Sequence, residues 1–198
     1  MLNEKFIKGL KPVGRSKNKK QIILTNTCRD LKEYISSLKY RYNGNNKILP
    51  HYIITRSGDI LNVIPPETYS NFLDNRLQNK QSIIITLENL GWLRKNPLSK
   101  GYLNWIGNMY NGDIYDRKWR GYNFWQPYTD EQTKSLKNLI SELCDEFNIP
   151  HVFIGHNVKV EGIQKYNGIV SLSNYDNKHT SLNPAFNFDI FINKTKDE

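Results

Sequence analysis

Residues 21–25, Gln-Ile-Ile-Leu-Thr, form a short apolar run that predicts a buried strand. From Thr27 to Tyr40 the apolar side chains of Leu31, Tyr34, Ile35 and Leu38 recur at helical spacing, and the polar stretch at 42–46 closes that helix as a turn. Residues 51–56 and 60–64 are two apolar segments separated by Ser57-Gly58-Asp59, the turn chemistry of a hairpin. Residues 82–89 read as a fully buried central strand followed by a glycine turn. The clearest helix starts at Thr129, because Thr129-Asp130-Glu131-Gln132 fits a capping box. Leu136, Leu139, Ile140, Leu143, Cys144 and Phe147 then share one face, which makes Cys144 a core residue, and Pro150 ends the segment.

Strands interleaved with helices predict an α/β protein with a mixed central sheet flanked by helices. The chain has 198 residues, enough for one domain that needs no disulfide or metal staple. Its 38% hydrophobic and 24% charged composition excludes disordered and coiled-coil classes. No apolar run is long enough for a membrane span, and the first residues lack the apolar stretch of a secretory signal. The two cysteines, Cys28 and Cys144, make neither a disulfide framework nor a metal knuckle.

The net charge of +9 is concentrated at one end: residues 1–20 hold seven basic residues and one acid. This predicts a basic N-terminal arm over 1–20, solvated and able to attract an anionic surface, ahead of a domain over 21–198. A second concentration is aromatic. Residues 92–128 carry all four tryptophans and ten of the aromatic rings, with arginines and lysines between them. Asn111-Gly112 suggests a hairpin there. Trp105, Trp119, Trp125, Tyr122 and Arg120 are the candidate ligand-binding residues, since flat rings and guanidinium groups stack on sugars and pair with anions. Such a patch also suits a protein interface. Nucleic acid is disfavoured because no binding motif for it accompanies the rings.

The order of elements, with HYIITRSGDILNVIP for the hairpin, SIIITLEN for the central strand, YTDEQTKSLKNLISELCDEFNIP for the long helix and the closing NPAFNFD, resembles the type 2 N-acetylmuramoyl-L-alanine amidases. That superfamily includes the peptidoglycan recognition proteins and phage lysozymes of the amidase type. The resemblance covers residues 21–190 and implies an amidase fold, here with an aromatic-rich insertion at about 92–128. It also implies a zinc site that cleaves between muramic acid and the stem peptide. Three protein ligands and an open position for water are what such chemistry needs.

At the positions matching the family's ligands this chain has Thr25, the run 169–175 without His, Cys, Asp or Glu, and Ser181. None is a good zinc ligand, so the expected cofactor is none. Pro50 and Tyr69-Ser70-Asn71 also depart from the family's pattern, and His179 stands where phage enzymes have a lysine. Glu88 matches a family acidic position. Thr25, Glu88, His179 and Ser181 are therefore the expected lining of a degenerate site with no catalytic residue. Donors available for relocated ligands are Cys28, His51, Cys144, His156, Asp176 and His179, with Cys28, His156 and His179 a geometrically conceivable set, whereas His51 is expected to be a satisfied structural histidine.

The leading expectation is a non-catalytic protein of phage or other AT-rich origin that binds peptidoglycan or a muropeptide, in a virion or the host cytoplasm. The alternatives are a virion or regulatory module that docks a phage or host protein, and an active cell-wall amidase with rebuilt ligands.

Overall fold

The computed structural model describes residues 5–191. The first half runs β1 (Lys5–Phe6), β2 (Gly14–Arg15), β3 (Gln21–Asn26), α1 (Leu31–Tyr40), β4 (Tyr52–Ile54), β5 (Ile60–Asn62), β6 (Thr68–Tyr69), α2 (Arg76–Gln81) and β7 (Ser82–Leu87). The second half runs β8 (Trp92–Lys95), β9 (Tyr102–Leu103), β10 (Met109–Tyr110), β11 (Tyr115–Trp119), β12 (Tyr122–Trp125), α3 (Asp130–Phe147) and β13 (Gly168–Ser171). The main sheet has the order β1-β5-β4-β7-β3-β13, and only the β4–β5 pair is antiparallel. Helices cover both faces, so the α/β class and the mixed sheet expected from the sequence are present.

Alternation along the strands assigns the layers. Ile22, Leu24, Ile83, Ile85 and Leu87 pack against Leu136, Leu139, Ile140, Leu143 and Cys144 of α3. The intervening Ile23 and Ile84 face the other layer, where Ile163 and Leu172 cover them. α1 closes that layer over Ile53 and Leu61 through Leu38, Tyr34 and Ile35. It starts at Leu31, four residues after the Thr27 start of the expected segment: Asp30 is the N-cap, its carboxylate accepting from the Glu33 amide at 2.8 Å. Thr129 and Gln132 form the expected capping box on α3. Thr129→Ala is expected to lower stability by about 1 kcal/mol, read as a lower urea midpoint with an unchanged slope.

From residue 5 onward the backbone of the basic segment is tied to the domain, while the side chains of Lys8, Lys11, Arg15, Lys17 and Lys20 stay exposed. β1 pairs parallel to β5, β2 pairs with β6, and Ile7 and Leu10 pack beneath α1. Lys19 is buried, its ammonium donating to the carbonyls of Thr68 (2.5 Å) and Ser82 (3.1 Å). Burial, partly opposed by Glu67, pulls its pKa down to about 8. A charge run in sequence does not reveal that the chain beside it has backbone partners.

The aromatic segment builds a second, five-stranded sheet of order β10-β9-β8-β12-β11. Its tight hairpin is not at Asn111-Gly112, which merely links two opposite edge strands. It is at Arg120-Gly121, where φ values of +48° and +85° connect β11 to β12 in two residues.

Candidate functional site

A cleft of about 640 Å³ opens beyond the carboxyl end of β3, the usual ligand-binding side of a parallel sheet. Its walls are α1, the loop around 72–78 and the loop 172–181. Thr25 and Ser181 meet on its floor, their hydroxyls 2.9 Å apart although 156 residues separate them in sequence. The Asn26 amide donates to Ser181 Oγ at 3.3 Å. The Ser171 hydroxyl donates to the Ser181 carbonyl at 2.5 Å, and the Ser173 hydroxyl donates to the same carbonyl. The floor is thus a knot of neutral hydroxyls, buried and mutually satisfied.

His179 lies exposed at the cleft's edge. Glu88 does not line it. Its carboxylate accepts the backbone amides of Leu31 (3.3 Å) and Arg56 (2.9 Å), tying the start of α1 to the β4–β5 hairpin. Cys28 lines the cleft with a left-handed φ of +54°, and burial pushes its thiol up to about 11 despite the neighbouring Arg29. That thiol is protonated and unreactive at neutral pH. His156 lines a different, 480 Å³ cleft beside Trp119, so Cys28, His156 and His179 are not brought together around one opening. Among the described residues no group of three or more His, Cys, Asp and Glu side chains is placed to hold a metal ion.

The aromatic candidates separate into distinct roles. Trp125 is fully buried, its indole N–H donating to the Arg117 carbonyl at 2.8 Å, so it is core of the second sheet and has no face for a ligand. Tyr122 is half-buried and stacked on Trp92 with ring centroids 4.4 Å apart. Trp105 is 41% exposed, donates its indole N–H to the Cys28 carbonyl, and lies 5.1 Å from the Arg29 guanidinium.

Arg120 is a clasp between the two halves of the molecule. Lying over Trp119, it donates to the carbonyls of Asp176 (2.8 Å), Asn157 (3.1 Å) and Ser173 (3.2 Å), to that of His179, and to Asn177 Oδ1 (3.4 Å). Arg120 is a ligand-contact candidate from sequence; in the fold its donors hold the loop that walls the cleft.

The sequence does not single out Arg29 and Arg41. Both line the cleft, and among the described residues neither guanidinium has a hydrogen-bond or ion-pair partner. The only available signal was their position at the two ends of the first helix.

A model of the N-acetylmuramoyl-L-alanine amidase family matches residues 16–168. No curated protein matches the chain. Among solved structures, the Staphylococcus aureus hydrolase AmiA in complex with its ligand is 10% identical, with 86% of this chain and 64% of that one covered and a TM-score of 0.50. The amidase LysC of Clostridium intestinale URNW is 12% identical over 86% of this chain and 83% of its own, at a TM-score of 0.49. AmiD of E. coli, solved with anhydro-N-acetylmuramic acid-L-Ala-D-gamma-Glu-L-Lys, is 16% identical over 70% and 47%, at 0.46.

Proposed function

The chain belongs to the N-acetylmuramoyl-L-alanine amidase family, and from that premise we propose that it binds peptidoglycan fragments in the main cleft without hydrolysing them. The observation that carries this reading is the Thr25–Ser181 hydroxyl pair on the cleft floor. By the resemblance of the sequence, these positions match two of the family's zinc ligands. Neutral hydroxyls that hydrogen-bond each other do not supply the imidazole, thiolate or carboxylate donors that zinc takes. The third position falls in a run of hydroxyl, amide and apolar side chains. A zinc ion therefore does not fit these residues, and no hydrolytic step is derived through one.

The volume of the cleft is in the range of a small-ligand site. Its walls offer hydroxyls, amides, guanidinium groups and one exposed imidazole, a surface suited to a polar peptide carrying a sugar. No helix among the described residues is long and apolar enough to cross a membrane.

The test combines binding, metal and product. Protein purified in the presence of zinc is expected to carry no stoichiometric metal, to release no new amino ends from insoluble sacculi, and to co-sediment with them at moderate salt. About one zinc per chain together with released stem peptide would overturn the reading. Retention confined to low salt would also overturn it, by assigning the interaction to surface charge alone.

A further inference from the structure

We propose that the second cleft, of about 480 Å³, is a saccharide site that takes pyranose units of an uncharged sugar chain. It shares no lining residue with the main cleft, and the inference stands independently of the muropeptide reading. One wall is β11, the edge strand of the second sheet; the other is the loop at 155–157 with the segment 184–189. The pairing of β11 with β12 slips between Asp116 and Trp119, a bulge that leaves Tyr115, Arg117 and Trp119 all on the cleft. The bulge is fixed from behind, because the buried Trp125 indole donates to the Arg117 carbonyl. The facing loop is fixed as well: Arg120 donates to the Asn157 carbonyl at 3.1 Å, and the Asn157 side chain donates to the Leu182 carbonyl at 2.9 Å. Both walls are thus in place before a ligand arrives, which lowers the ordering cost of binding.

The groups left open decide the class of ligand. Arg120 covers the Trp119 ring, whereas Tyr115 is 38% exposed and stacks on no other ring among the described residues. The Arg117 guanidinium and the Asp189 carboxylate have no hydrogen-bond or ion-pair partner among the described residues. His156 commits only Nδ1, which accepts from the Val158 amide at 3.3 Å. Asn187 commits only Oδ1, which accepts from the Asp189 amide at 3.0 Å, so its amide donors stay open. Donors and an acceptor therefore stand together beside an uncovered tyrosine ring. A sugar hydroxyl donates and accepts at once, and the C–H face of a pyranose lies against the electron-rich face of an aromatic ring. A phosphate or carboxylate would meet the Asp189 charge, which is why the sugar is assigned as uncharged.

The experiment is calorimetric titration of the full chain with the tetrasaccharide of β-1,4-linked N-acetylglucosamine, an uncharged chain that carries no peptide. Saturable binding is expected, weakened about ten-fold by Tyr115→Ala and several-fold by Asp189→Asn. Both side chains are exposed, so both variants are expected to keep the melting temperature of the parent. The peptide L-Ala-D-gamma-Glu-L-Lys, which has no sugar, should not displace the tetrasaccharide. Absence of tetrasaccharide binding overturns the saccharide site and leaves the muropeptide reading in place, since that reading is tested by zinc content and retention on sacculi. Equal affinity of the parent and both variants overturns the site as well, by placing the sugar elsewhere. Displacement by the peptide does the same, by moving the sugar to the main cleft.

Discussion

Arg120→Gly is expected to destabilise the protein by about 3 kcal/mol, a fall in melting temperature of roughly 10 °C for a chain of this size. Glycine is the informative replacement because φ at this position is +48°, so the turn survives and only the side chain is lost. Four main-chain carbonyls and one side-chain amide oxygen lose a charged donor at once. Hydrogen exchange should localise the effect to residues 172–183, and muropeptide affinity should fall with it because that loop is a cleft wall. Arg120→Lys is expected to recover only part of the loss, since an ammonium cannot reach the same spread of acceptors. A change within 0.5 kcal/mol would mean that the serine knot holds the loop unaided.

His51 should dominate the acid limb of stability. It is 1% exposed, accepts from the Ile84 amide through Nδ1 at 2.9 Å and donates from Nε2 to the Thr68 carbonyl at 3.1 Å, so its neutral tautomer is fixed. Burial first, then the Lys19 ammonium, lower its pKa from 6.5 to about 3. The folded value lies below the unfolded one, so the unfolded chain binds the extra proton. Stability is full above pH 6.5 and is lost progressively as pH falls toward 3. By pH 4 this group alone removes about 3 kcal/mol. His51→Gln is expected to be about 2 kcal/mol less stable than the parent at pH 7 and, lacking the titrating group, to overtake it by about 1 kcal/mol at pH 4. Urea unfolding of both proteins at the two pH values measures it. A gap that stays constant would assign the acid sensitivity to other groups.

Chemistry local to a segment was readable in the sequence. The Thr129 capping box, the Ser57-Gly58-Asp59 hairpin and the apolar runs of β3 and β7 each depend on neighbours a few residues away. The positions of Thr25 and Ser181 came from resemblance to a family; no local pattern couples them, and the fold brings them within 2.9 Å. The aromatic segment resisted reading because composition does not say which way a ring points. Trp125 and Trp105 lie twenty residues apart in the same basic, aromatic-rich stretch, yet one is core and the other is 41% exposed. Arg120 and Arg29 likewise carry the same group, one engaged by several carbonyls and one lying beside the Trp105 ring at the cleft. Only the pairing of distant segments decides such cases.

The strand order has a consequence for how the chain assembles during synthesis. Once residues up to 87 have emerged, β5, β4, β7 and β3 can already form the middle of the sheet. The outer edge of β3 then stays open until residues 168–171 arrive to pair with Gln21–Leu24. That edge belongs to an isoleucine-rich strand with high sheet propensity and no charged gatekeeper between Gln21 and Asn26. Nascent or truncated chains that stop short of β13 therefore present a sticky template to one another, and yield on expression should depend on how quickly the last strand reaches its place.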